Sequence, residues 1–188
     1  MSQVRFPVLT PEQMTPRQKE VAALIADGPR GGIRGPFAAL LHSPELANVV
    51  QQVGEYLRFK STIPPALIEL TILVVARHWT SQYEWFAHER VARTKTDLPD
   101  HIIVSIQRGE IPHNMTDEQR MVHDFAVGAF KYGAPSGAVF DEVVARFGRP
   151  GALDLLALCG YYTMVAMILN TAQVPIPDGG TPPLRERL

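Results

Sequence analysis

Four side chains near the middle of the chain, Glu69, Ser81, Glu84 and His88, have types and spacings suited to proton transfer. Around Glu69 nearly every neighbour is apolar, with Leu67, Ile68, Leu70, Ile72, Leu73, Val74 and Val75 in one helical frame. A helix that is apolar on all faces is a buried helix. A carboxyl inside it must be paired or must hold a proton, because burial disfavours the charged form. Either state serves a general acid or base. Glu69 would equally serve as a structural tie to an arginine such as Arg77 or to a neighbouring helix end. Glu84 and His88 stand at i and i+4, with Ser81 one turn earlier, so the three share a helix face. A Glu–His pair so placed can hold the imidazole in one tautomer and form a proton relay. The same spacing also suits a solvated surface pair worth roughly a few tenths of a kcal/mol. Trp79, Tyr83, Trp85 and Phe86 around it favour the buried arrangement.

Other chemistries fit less well. Glu84 and His88 with His78 or Glu69 supply carboxylate and imidazole, but no second histidine falls at i+4 as the two-histidine zinc motif requires. His42, His101, His113 and His123 are dispersed, and neither a metal nor an organic cofactor is expected. Ser81 lacks the Gly-x-Ser-x-Gly elbow of a nucleophilic serine. Cys159 is the single cysteine, which rules out dithiol chemistry and an intrachain disulfide, and between Leu158 and Gly160 it reads as a small core residue. Tyr161, Tyr162 and Asn170 are polar tips on an apolar helix, expected to satisfy one another in the core rather than to close a pocket.

The elements that must hold these residues are helical throughout. A helix is predicted from Pro16 into Ala26, with Val21, Leu24 and Ile25 on one face and Asp27-Gly28-Pro29 as its stop. Ser43-Pro44-Glu45 is a start signal for a helix to about Phe59, and Pro64-Pro65 opens another to about Arg77. A break near Thr80 precedes a helix over 81–93. Pro99 opens a short helix ending near Gly109, and Thr116 caps one that runs through Phe130. Ser136 starts a helix ending at Gly148, and Gly151 to about Asn170 forms the last. The glycine-rich loop 30–36 lacks the Lys-Ser/Thr of a phosphate-binding loop and follows no strand, so it reads as a connector or an ordered arm. Pro175, Pro177, Pro182 and Pro183 mark a tail without a helix of its own. With no period-two alternation of useful length, the fold class is all-α.

The 188 residues suffice for one domain with a core of its own. Lys plus Arg number 18 and Asp plus Glu 19, scattered along the chain, which gives no electrostatic reason to expect nucleic acid or an anionic membrane. The start of the sequence, Met1 to Arg5, is followed by Pro7, Pro11 and Glu12 rather than by an apolar signal region, and the longest apolar run, 70–76, is too short for a bilayer. The expectation is a cytoplasmic protein without membrane or nucleic-acid partners.

The central frame resembles the carboxymuconolactone decarboxylase and alkylhydroperoxidase D-like superfamily. In the dithiol members a Glu precedes a Cys-x-x-Cys-x-x-x-His motif by twelve positions; here the frame reads Glu69, then Ser81-x-x-Glu84-x-x-x-His88. Glu and His are kept while Ser81 and Glu84 stand at the cysteine positions, as in the decarboxylase branch. Arg34-Gly35-Pro36-Phe37, His42-Ser43-Pro44-Glu45-Leu46 and Gly160-Tyr161-Tyr162 are similar to longer members of that branch. Arg93-Thr-Lys-Thr-Asp97 departs from it, since a glycine-containing turn is more usual there. The resemblance implies one helical bundle: an N-terminal arm and helix (1–42), a family-like core (43–125), C-terminal helices (126–172) and a tail (173–188). It further implies a homo-oligomer, often a trimer or hexamer, with active sites near subunit contacts. The implied activity is a cofactor-free carbon–carbon lyase acting on a small carboxylated lactone or a related intermediate of aromatic catabolism. His88 would face the enolate or the substrate carboxylate, Glu84 would orient His88 or donate the proton, Glu69 would be a second buried acid, and Ser81 a hydrogen-bond donor. Peroxidase chemistry is excluded, because its disulfide needs two thiols. Another cofactor-free decarboxylation or isomerisation, or a scaffold without turnover, stands as the alternative. Glu84 and His88 pointing into bulk water would favour the scaffold.

Overall fold

The computed structural model describes residues 5–29 and 31–185. Met1 to Val4, Arg30 of the glycine-rich loop and the last three residues of the tail lie outside the described residues. Among the described residues, eight α-helices follow in order: α1 (Pro16–Asp27), α2 (Pro36–Leu40), α3 (Pro44–Phe59), α4 (Pro65–His78), α5 (Gln82–Lys95), α6 (Asp100–Arg108), α7 (Asp117–Tyr132) and α8 (Gly137–Ala172). No strand occurs among the described residues, so the fold is all-α.

Local chemistry sets the boundaries. Thr15 and Thr116 each accept from the backbone N–H three residues on, while Gln18 and Gln119 reach back to the cap residue's own N–H. Proline stands in the first turn of α1, α2, α3 and α4, where its missing N–H costs nothing. Gly109 and Gly133 end α6 and α7 with positive φ. Inside α8, Gly148 leaves the helix at φ 70° and ψ 173° just before Pro150, so this element holds the two helices expected on either side of that glycine.

α4 is the axis of the bundle and packs against α5, α6, α7 and α8. Every residue from Leu67 to Ala76 is buried, as its all-round apolarity predicts. Each fully buried Leu, Ile or Val there contributes roughly 1.5–3 kcal/mol, which makes α4 the main source of cohesion.

Three features differ from the sequence expectation. The short helix α2, not expected from the sequence, directly follows the connector, and Phe37, Ala39 and Leu40 anchor it in the core. The tail forms a short 3-10 turn at Pro177–Gly179 and is then pinned down. The Gln82 side-chain amide donates to the Leu184 carbonyl at 2.8 Å and accepts from the Leu184 N–H at 2.9 Å, while Leu184 itself is buried. Finally, α8 is long and apolar enough to cross a bilayer by length and composition, although half of that apolar window is buried within the bundle.

Candidate active site

The site is built on the α4–α5 hairpin. Thr80 adopts φ 48°, and the Ser81 N–H returns to the Ala76 carbonyl at 2.8 Å, so the chain reverses within four residues of the end of α4. Antiparallel packing then sets the middle of α5 beside the first turns of α4. His88 meets Glu69 there, and its Nδ1 lies 2.7 Å from Glu69 Oε2. A carboxylate can only accept, so this bond makes Nδ1 the protonated ring nitrogen and fixes the plane of the imidazole. The edge of Tyr162 from α8 braces the same ring, with centroids 5.0 Å apart.

Glu84, one turn before His88, is 1% exposed. Neither of its carboxyl oxygens has a hydrogen-bond partner. Burial alone pushes its carboxyl well above the usual carboxylate range. An unpaired buried carboxylate would cost far more than a retained proton, so Glu84 is an acid in its neutral form. No hydrogen bond holds its carboxyl in place, and turning it sacrifices none.

Glu84 and His88 line a cavity of about 650 Å³ between α3, α5, α8 and the glycine-rich loop. Neither side chain points into bulk water. Tyr83, Tyr161, Tyr162, Arg34, Arg58 and Arg90 share the lining. Burial raises the hydroxyls of Tyr83 and Tyr162, so both remain protonated donors. Gly35 sits against Tyr83 so closely that a Cβ there would lie 2.7 Å from the ring, and its φ of 57° also favours glycine. The loop read as a connector is therefore part of the cavity wall.

Several sequence expectations are corrected. Glu69 rather than Glu84 orients His88, because the hairpin brings it to the imidazole while the Glu84 oxygens meet no partner. Glu69, expected as a second buried acid, is buried but absent from the cavity lining and stands behind His88, bonded to its Nδ1. Its cationic neighbour is Arg58 at 4.0 Å rather than Arg77, which turns to Thr80 and the Arg185 carbonyl. Ser81 is the N-terminal cap residue of α5; its hydroxyl is enclosed without a partner and lies outside the lining. Tyr161 and Tyr162 do contact each other, at 5.2 Å between centroids, but both also face the cavity. Asn170 instead donates to the Trp79 carbonyl at 3.0 Å. His78 stacks on Phe130 and His123 bonds Asp124, both away from the cavity. Cys159 is buried, with its thiol pushed up to about 12, which leaves it unreactive in a core position.

Sequence reasoning missed Arg58. A signal was present, since Gln51, Gly54 and Leu57 mark the buried side of α3 and Arg58 follows Gly54 by one helical turn. Among the described residues, no three His, Cys, Asp or Glu side chains come together as a metal-ligand set. A second, apolar groove of about 600 Å³ runs between Leu40 and Leu46 on one side and Met164, Met167 and Ile168 of α8 on the other, and holds none of these site residues. No family model matches the chain, and no curated protein matches it.

Proposed function

We propose that the protein is a cofactor-free carbon–carbon lyase of the carboxymuconolactone decarboxylase type, acting on a small carboxylated lactone or a related acid. One observation carries this reading. A neutral, unpartnered Glu84 lines the same cavity as an imidazole whose orientation is fixed from behind by Glu69. A scaffold has no use for an enclosed acid with no hydrogen bond, which costs stability and is expected where a proton must be delivered. The frame Glu69, Ser81, Glu84, His88 supports the same family.

In the reaction, the bond between the ring carbon and its carboxylate breaks and CO2 leaves. The electron pair passes through the conjugated double bond to the lactone carbonyl oxygen, where His88 stabilises the developing enolate. When the enolate collapses, Glu84 gives its proton to carbon and later regains one from water. The Glu84 oxygens do not reach the surface, so the carboxyl turns toward the substrate as it binds. Tyr161, Tyr162 and Val165 keep the site dry, which strengthens each of these interactions. The chain acts as a homo-oligomer, a reading that the apolar groove beside α8 supports.

The test is CO2 release from γ-carboxymuconolactone by the native protein and by Glu84→Gln. Release by the native protein alone is expected. Release by neither would remove this lactone as substrate and move the search to other small acids. Equal release by both would remove Glu84 from the mechanism.

A further inference from the structure

We propose that Arg58 makes the cavity a carboxylate-binding site, taking the anionic group of the molecule on which Glu84 and His88 act. This rests on the cavity being the substrate site and adds the residue that selects charge. Arg58 ends α3 with its side chain only 18% exposed. Even so, its guanidinium makes no hydrogen bond among the described residues, and its Nε is enclosed without a partner. A guanidinium cannot shed its charge, so enclosing its Nε–H without a partner is costly, while the Nη groups stay open to a ligand.

Its nearby carboxylate does not meet that need. Glu69 Oε1 lies 4.0 Å from Arg58 Nη2, beyond hydrogen-bond length, and the other Glu69 oxygen serves His88. The guanidinium stands 4.9 Å over the Phe59 ring, a contact that engages its face and leaves the N–H edge available. Arg34 and Arg90 are exposed at the rim, and the one acid among the lining residues, Glu84, is neutral. The cavity is thus electropositive in a chain of net charge -1. Planar guanidinium and carboxylate groups match as a two-bond pair, and about 650 Å³ suits a small organic acid.

The test is calorimetric titration of the full chain with γ-butyrolactone-γ-carboxylate and with its uncharged methyl ester. This saturated lactone has no double bond to receive electrons, so binding is read apart from turnover. The native protein is expected to bind the acid about tenfold or more tightly than the ester. Arg58→Gln should abolish that preference, while Arg149→Gln, exposed and outside the cavity lining, should keep it. If Arg58→Gln loses its helical circular dichroism, Arg58→Lys replaces it; keeping the charge without the fork, it should weaken acid binding and leave ester binding unchanged. Equal native affinity for acid and ester, no binding of either, or an undiminished preference in a folded Arg58 variant would overturn the proposal. An Arg58-dependent preference in a protein that releases no CO2 from γ-carboxymuconolactone would keep the anion site and remove that lactone as its substrate.

Discussion

His88 Nδ1 and Glu69 Oε2, 19 positions apart in sequence, meet at 2.7 Å across the α4–α5 hairpin. Both side chains are nearly enclosed, so the bond is worth more than a surface pair and its loss leaves a buried donor. Glu69→Ala should destabilise the fold by about 3 kcal/mol, because Arg58 also loses its neighbouring carboxylate. Glu69→Gln keeps a carbonyl acceptor for the imidazole and should cost clearly less. Urea unfolding of the three proteins checks this, and an alanine variant within 1 kcal/mol of native would show that the pair does not hold the site together.

Glu84 makes a prediction about pH. Its folded-state carboxyl is raised, whereas in the unfolded chain it ionises near the ordinary value of about 4.3. Above that value the unfolded state releases a proton that the folded state keeps, so stability falls as pH rises until the folded carboxyl itself ionises. Glu84→Gln removes this term. The variant's stability relative to native should therefore grow as pH rises above about 4.3, until the folded carboxyl itself ionises. Parallel stability curves for the two proteins over that range would mean that Glu84 is ionised in the fold.

What the sequence allowed to be read, and what it did not, divides along local and non-local lines. The burial of α4 follows from Leu67, Ile68, Leu70, Ile72, Leu73, Val74 and Val75 alone, and the break at Thr80 and the cap at Thr116 are equally local signals. Glu84 and His88 share a face because four residues make about one helical turn. The partner of His88 could not be read this way. The i, i+4 spacing offers Glu84, whereas the actual partner lies on another helix and is brought close only by the angle of the hairpin. Arg58 and Gly35 belong to the site for the same reason: tertiary packing brings the end of α3 and the glycine-rich loop against α5, and no spacing rule spans such separations.

The wall at Gly35 is testable. A Cβ there meets the Tyr83 ring at 2.7 Å while the backbone holds φ 57°, so steric and conformational costs add. Gly35→Ala should destabilise by roughly 1–2 kcal/mol and displace Tyr83 from the cavity lining. Gly133→Ala is the comparison without steric conflict, since Gly133 also has positive φ, in the left-handed helical region, but nothing within 4 Å of a Cβ. Thermal unfolding of the pair should show the larger loss at Gly35; equal losses would mean that the loop and Tyr83 part without cost.

The apolar surface outside the site leads to the last prediction. Leu46, Val49, Val53 and Tyr56 lie along the outer side of α3, and Leu153 and Met167 along that of α8, each at least 43% exposed. The groove between α2–α3 and α8 adds Leu40, Met164 and Ile168 to the same side of the molecule. Isolated exposed apolar residues are ordinary, whereas a set that follows two adjacent helices is the pattern expected of a protein–protein contact. α3 also carries Arg58 and α8 carries Tyr161 and Tyr162, so an assembly formed through this side would involve helices that line the cavity. Light scattering after size-exclusion chromatography should give the native protein a mass that is a multiple of 20.8 kDa. Met167→Glu, which sets a charge in the groove, should lower that mass and weaken binding in the cavity together. A native mass of one chain at tens of micromolar would remove self-association as the cover for this face. A Met167→Glu protein of reduced mass with unchanged binding would separate assembly from the site.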